Sequence, residues 1–129
     1  MEPSKLLDAH VQARRMYHLL GEVMDLSRQL AQALDRGDEI TVRMLLSMRA
    51  EPIQKLEQVR NALNQQVVKL GQEDGLHMAL LLQGEPPAGP EEEPLAEQVT
   101  VNRRLWQQVV ELDRRISLSL SREKSPYQP

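Results

Sequence analysis

Three histidines are the side chains of this sequence that could most readily support metal binding or proton transfer. His18 and Glu22 lie four residues apart, a spacing that on a helix would place both side chains on one face. A zinc site needs three or four ligands, and His18 and Glu22 supply only two. His10 precedes His18 by about two helical turns. The histidines are therefore predicted to be surface or half-buried side chains and not metal ligands.

Other reactive arrangements are missing from the sequence. It contains no cysteine, which excludes disulfides, thiolate metal sites and cysteine nucleophiles together. Phosphate-binding glycine loops, a Ser/His/Asp signature and the Glu-x-x-His repeat of di-iron bundles do not occur either. The acidic run Glu91–Glu93 is interpreted as a solvated charge run. We therefore expect a protein that is not an enzyme and that uses no cofactor, metal or nucleotide.

Composition and charge narrow the classes of partner. The chain has 129 residues, a net charge of −3 and only 2% aromatic residues. No region is basic enough to follow a phosphate backbone, and aromatic side chains for base stacking are scarce, so no nucleic-acid partner is expected. The longest apolar run, 78–82, is far too short to span a bilayer, and residues 1–5 do not begin a secretory signal. These features predict a cytoplasmic protein without a membrane span.

Two long helices are predicted in the first half of the chain. Apolar residues recur in steps of three and four through residues 11–34, with Ser4 as a plausible N-cap. Gly37 is expected to end this helix, and Asp38 to cap the next. The second helix carries an apolar stripe up to Gly71, interrupted by Pro52, where a kink is favoured over a break because the stripe keeps its phase.

The second half is predicted to contain a short helix, a linker and a third long helix. Residues 76–82 favour a two-turn helix between Gly75 and Gly84. Residues 85–94 hold four prolines and are interpreted as an acidic, proline-rich linker. A long helix is then expected from Pro94 to the region of Ser121, Ser125 and Pro126. The predicted fold is all-α: one domain over residues 1–129, an elongated antiparallel bundle of three long helices plus a short helix.

The apolar stripe of the last helix is the candidate partner-binding face. Its packing against the first two helices is the simpler interpretation, but the long linker would let the helix exchange or share its groove with a target helix. Asn102 falls on this stripe, where a polar side chain can fix helix register or bond to a partner's backbone. The candidate residues are Asn102, Leu105, Trp106, Val109, Leu112, Ile116 and Leu120. The same two interpretations apply to the short helix at Leu80, Leu81 and Leu82. There we favour packing over the end of the core, and not contact with a partner.

Several segments resemble the small helical export chaperones of the flagellar type III system, the FlgN and FliT families. They are Leu26-Ser27-Arg28-Gln29-Leu30, the Gly37-Asp38 break, Leu45-Leu46-Ser47-Met48-Arg49, Asn102-Arg103-Arg104-Leu105 and Leu112-Asp113-Arg114-Arg115-Ile116. The resemblance spans most of the chain and does not separate the two families. It implies an ATP-independent cytoplasmic chaperone that holds a late flagellar export substrate, a hook-associated or filament-cap protein, through helix-in-groove contacts. Pro52 and the long linker depart from the usual pattern of these families.

Two other functions remain open at the level of sequence. The first is a helical adaptor or regulator unrelated to flagella, and the second an enzyme or metalloprotein built on a helical bundle. A protein partner is expected in either of the two binding roles, and a homodimer formed through exchanged helices is an alternative to a closed monomer because long amphipathic stripes also support dimers.

Overall fold

A computed structural model of the chain describes residues 1–124 and contains four α-helices in that range. They are α1 (Pro3–Asp35), α2 (Glu39–Lys69), α3 (Gln72–Leu82) and α4 (Glu93–Lys124), with a short 3-10 turn at Pro90–Glu92 before α4. No strand occurs among residues 1–124. The all-α bundle of three long helices and a short one is therefore confirmed. The expected involvement of Ser125 and Pro126 in the end of the last helix lies outside the described residues.

The turn between α1 and α2 follows the sequence pattern closely. Gly37 has φ +67°, a left-handed conformation that glycine adopts without steric cost. Asp38 caps α2: its Oδ1 accepts from the Thr41 backbone N–H at 3.1 Å, and its Oδ2 from the Thr41 hydroxyl at 2.6 Å. These hydrogen bonds, the hydroxyl's first, hold the pKa of Asp38 below its ordinary value. At the other end of α1 the cap is Glu2 rather than Ser4, because Pro3 takes the first helical position, where its missing N–H costs nothing.

Pro52 lies inside α2, which continues from Glu39 to Lys69. A proline at this position removes one backbone hydrogen bond of the helix. Its ring is buried on the side of α2 that faces the core, in phase with Leu45, Leu56 and Leu63. α2 therefore does not break at Pro52, as predicted, and its buried stripe continues on both sides of the proline; the kink itself stays a prediction.

α3 is longer than the predicted two-turn helix, because it begins at Gln72 and includes Gly75. Gly75 is buried, and a Cβ atom there would lie 2.8 Å from the carbonyl oxygen of Val67. This glycine is therefore not a boundary: it lets α3 pack closely on the end of α2. Met78 and Leu81 point from α3 into the core, whereas Leu80 is exposed.

The predicted linker, residues 85–94, is irregular over only part of its length. Residues 85–87 have no regular structure, but Pro90–Glu92 forms a 3-10 turn and α4 already begins at Glu93. This turn packs against both α1 and α4. The non-helical part is therefore confined to residues 83–89.

α1 is the central helix of the bundle, because both α2 and α4 pack along it. The main core lies between α1, α2, α3 and the first half of α4, around Leu20, Val59, Met78 and Leu95. A second apolar cluster joins the α1–α2 turn to the last part of α4, where Ile116 packs near Leu30. α4 thus runs in the same direction as α1 and opposite to α2.

Candidate functional site

The candidate face of α4 is divided between the core and the surface. Asn102, Val109 and Ile116 are buried against the other helices, and Leu105, Leu112 and Leu120 are half-buried at the margins of the two core clusters. Trp106 is the exposed member of the set. The stripe therefore holds α4 on the bundle, and only its edge at Trp106 is open to solvent.

Asn102 bonds to the chain's own backbone. Its Nδ2 donates to the carbonyl oxygen of Ala13 on α1 at 2.8 Å, and its Oδ1 accepts from Gln98 Nε2 at 3.1 Å. Both polar atoms of this buried side chain have partners, as burial demands. Of the two roles predicted for Asn102, the register contact between helices is the one that its geometry supports.

A groove lies between α2 and α4, with α1 as its floor. No Cα atom in the described parts of α2 and α4 comes within 8 Å of the other helix, so these two helices do not pack directly. The space between them is open to solvent and has a volume of about 720 Å³. Ala13, Met16 and Val23 of α1 form the floor. The bundle therefore has a gap where a further helix could lie.

Apolar side chains line both walls of the groove. Leu56 and Leu63 belong to the α2 wall, and Val99 and Val109 to the α4 wall. Three further lining side chains remain partly in water: Ile53 is 42% exposed, Trp106 46% and Val110 48%. An apolar surface that covered them would remove these side chains from water, which is favourable.

A polar clasp closes one end of the groove. The guanidinium of Arg49 on α2 donates to Asp113 Oδ1 on α4 at 2.7 Å and to the Ser27 hydroxyl on α1 at 3.2 Å. The Arg49 side chain is largely buried, and Ser27 is fully so. The clasp joins all three long helices and neutralises the charge of Arg49, since the ion pair with Asp113 is direct.

The opposite end of the groove lies beside α3 and is basic. Leu82, the last residue of α3, lines the groove there. Arg60 on α2 and Arg103 on α4 stand on the two walls at this end. From Arg49 to Leu63 the α2 wall is about 21 Å long at the usual rise of 1.5 Å per residue. That length matches about four turns of a helix.

The acidic run at the start of α4 is predicted to be solvated, but this prediction is wrong for one of its three residues. Glu91 and Glu93 are exposed, but Glu92 is buried because it binds two groups on the bundle. Its Oε1 accepts from the Ala88 backbone N–H at 2.9 Å, and its Oε2 accepts from His77 Nε2 at 2.7 Å. The hydrogen bond from Ala88 is the main cause that lowers the pKa of Glu92, and His77 adds to it.

The other histidines stand apart from any such cluster. His18 and Glu22 are both exposed, and His10 is half-buried. Within residues 1–124, no group of three or more His, Asp or Glu side chains is placed to hold a metal ion. His77 differs from His10 and His18 because it fixes the segment before α4 to α3.

Sequence reasoning found the α4 wall of the groove but missed its α2 wall and both ends. Ile53 follows Pro52 and lies beside the stripe that was used to define the helix, so periodicity alone assigned it no role. Arg49 and Asp113 occur within the segments singled out for the family resemblance, yet their pairing depends on the relative position of α2 and α4. Glu92 belongs to a run of three glutamates, and the sequence alone does not tell which of the three is buried.

No protein-family model, curated protein or solved structure matches this chain. Within the described residues, none of the helices has a stretch both long and apolar enough to cross a bilayer.

Proposed function

We propose that this chain is a protein-binding module that holds an amphipathic helix of a partner in the groove between α2 and α4. The observation that carries the proposal is the gap between two helices that both pack on α1 but not on each other. A helix laid into this gap would contact α2 and α4 and complete a four-helix arrangement, a common solution for burying apolar helix faces.

The lining of the groove is better suited to binding a helix than to converting a small-molecule substrate. The apolar side chains of its walls are mostly Leu, Val and Ile, and Met16 on the floor has a flexible side chain that adapts to different apolar surfaces. Partner helices in grooves of this kind place apolar anchors at intervals of three and four residues. The proposed activity is therefore binding and not catalysis, with no cofactor.

The more specific form of the proposal is a flagellar export chaperone. Its support is the resemblance to the FlgN and FliT families, in segments that include Arg49 and Asp113 of the clasp and Asn102 of the register contact. In this role the chain would act in the cytoplasm, without ATP, and hold a hook-associated or filament-cap protein before export. The partner would supply the helix that fills the groove.

Two alternatives use the same groove. A helical adaptor unrelated to flagella would bind a different protein by the same contacts. A homodimer would place a helix of a second copy there, and sedimentation of the purified chain would then give twice the mass of 14.8 kDa.

Two valines on α4 provide a matched test of the groove. Val110 lines it, whereas Val101 is exposed to a similar extent, 42%, and lies outside it. The purified chain and its Val110→Asp and Val101→Asp variants would be titrated with purified hook-associated and filament-cap proteins of the same organism. Both variants should fold, because both sites are already open to water.

We expect one of these proteins to bind, and Val110→Asp to weaken binding about tenfold or more, equivalent to about 1.4 kcal/mol. Val101→Asp should leave the affinity nearly unchanged. If neither flagellar protein binds, the flagellar assignment fails. If a protein binds and Val110→Asp has no more effect than Val101→Asp, the groove is not the binding site.

A further inference from the structure

The charges on the walls of the groove are distributed unevenly along its length. At the clasp end, the charge of Arg49 is paired with Asp113 at 2.7 Å. At the α3 end, Arg60 and Arg103 face the groove from opposite walls, and no carboxylate of residues 1–122 lies within 4 Å of either guanidinium. The remaining carboxylate of the lining, Glu57, sits one turn from Arg60 and forms no ion pair within that distance. The α3 end therefore presents positive charge to an occupant.

The position of Arg103 is defined by packing. Gly84 follows α3 with φ +102°, and a Cβ atom at this glycine would lie 3.3 Å from Cδ and Nε of Arg103. Arg103 thus lies against the glycine through its Cδ and through Nε and Cζ of its guanidinium, while the residue as a whole is exposed. A charged group held in place loses less conformational freedom when it binds an anion.

The positive charge at the α3 end of the groove is opposite in sign to the net charge of the whole chain. The chain carries −3 overall. Long-range attraction would therefore favour a basic peptide over an acidic one. Among the basic residues that line the groove, Arg49 is paired with Asp113, so a preference of the groove for acidic side chains would point to the Arg60–Arg103 end.

We propose that the occupant of the groove is an amphipathic helix of about four turns whose apolar stripe is flanked by Asp or Glu in its C-terminal half. Its C-terminal end lies between Arg60 and Arg103, and the helix runs parallel to α2. Two charges favour this direction, the acidic side chains and the negative end of the helix dipole. This inference rests on the proposed function, because it names the chemistry and the orientation of the helix that the groove holds.

Three synthetic peptides with one apolar stripe would test it. The neutral peptide has Gln at all flanking positions, the second has Glu flanking the C-terminal half, and the third has the same number of Glu flanking the N-terminal half. Acetyl and amide ends remove the terminal charges. The peptides lack tryptophan, so the emission of Trp106, the single tryptophan of the chain and part of the groove wall, reports binding.

We expect the peptide with C-terminal Glu to bind about tenfold or more tightly than the one with N-terminal Glu at low ionic strength, a difference of about 1.4 kcal/mol. The difference should shrink in about 1 M salt, where the screening length falls to about 3 Å. The double variant Arg60→Glu/Arg103→Glu should reverse the preference. The control Arg43→Glu/Arg104→Glu makes the same change of net charge at exposed sites outside the groove and should keep it.

The outcomes separate this inference from the proposed function. If the neutral peptide binds and the two acidic peptides bind with equal affinity, the inference on charge and direction is overturned while the groove remains a helix site. If none of the three peptides binds, the groove is not a helix site and the proposed function fails with it. Melting curves of both double variants confirm that any change in affinity is not a loss of folded protein.

Discussion

The side-chain amide of Asn102 donates a 2.8 Å hydrogen bond to the backbone carbonyl of Ala13 and thereby joins the first third of α4 to α1. Gln98 satisfies the other polar atom of this amide from the same helix. A shift of α4 along α1 would leave a buried amide without a partner, at a cost of about 1–3 kcal/mol. The contact therefore sets the register of the helix that forms one wall of the groove.

Replacement of Asn102 by alanine should lower the free energy of unfolding by about 1–2 kcal/mol, because a buried hydrogen bond is lost and a small void remains. Asn64→Ala is the matched control, since Asn64 is exposed on α2 and should change stability by less than about 0.5 kcal/mol. Urea denaturation followed by circular dichroism measures both. Equal effects of the two substitutions would show that the Asn102 contact does not hold the register.

The docking of the last part of α4 is tested by a second pair of residues. Ile116 is 2% exposed in the cluster beside the α1–α2 turn, whereas Leu118 on the same helix is 54% exposed. Ile116→Ala should cost about 2–5 kcal/mol of unfolding free energy, and Leu118→Ala less than about 1 kcal/mol. Thermal and urea unfolding provide the values. A loss below about 1 kcal/mol in Ile116→Ala would mean that this part of α4 is not packed on the bundle.

The contact between Glu92 and His77 predicts a dependence of stability on pH. The pKa of Glu92 is lowered below its ordinary value of 4.5, first by the Ala88 backbone N–H and then by His77, with the N-terminal amine of Met1 also nearby. A carboxyl group with a lowered pKa in the folded state contributes stability that is fully present above its unfolded pKa. This contribution is lost as the pH falls through the folded pKa.

Glu92→Gln should therefore destabilise the chain at neutral pH, and the difference from the parent chain should narrow as the pH is lowered below about 4.5. Glu91→Gln serves as the control, because Glu91 is exposed next to it. Urea unfolding between about pH 3 and about pH 7, an interval that covers the titration of carboxyl groups, tests the difference. A deficit in Glu92→Gln that stays constant across this range would contradict the assigned role of the carboxylate.

Helix positions could be predicted from sequence because they depend on local patterns. The Gly37-Asp38 turn needs a left-handed glycine and a capping carboxylate, and both are visible in neighbouring residues. Gly75 was misread as a boundary because its role depends on the carbonyl of Val67, with which α3 comes into contact only after folding. Local signals therefore located the helices but did not define the packing of α3.

The groove could be predicted only in part, since it depends on the distance between α2 and α4. The α4 stripe was identified from its period of three and four residues, but the same period does not tell which side chains face α1 and which face the gap. Trp106 and Val109 are three residues apart, yet one is half in water and the other is buried. The pairing of Arg49 with Asp113 spans 64 positions of the chain, and no local pattern encodes it.

Protection of single cysteines tests the central claim, occupation of the groove by a helix, most directly. The chain has no cysteine, so Ile53→Cys and Met48→Cys would each carry one thiol on α2. Ile53 lines the groove, and Met48 is similarly exposed, at 50%, but lies outside it. With the neutral helical peptide at saturation, we predict that maleimide labelling of Ile53→Cys slows about tenfold or more, since a covered thiol reacts only when the complex opens. Labelling of Met48→Cys should keep its rate. An unchanged rate at Ile53→Cys, or equal protection at both positions, would contradict binding in the groove.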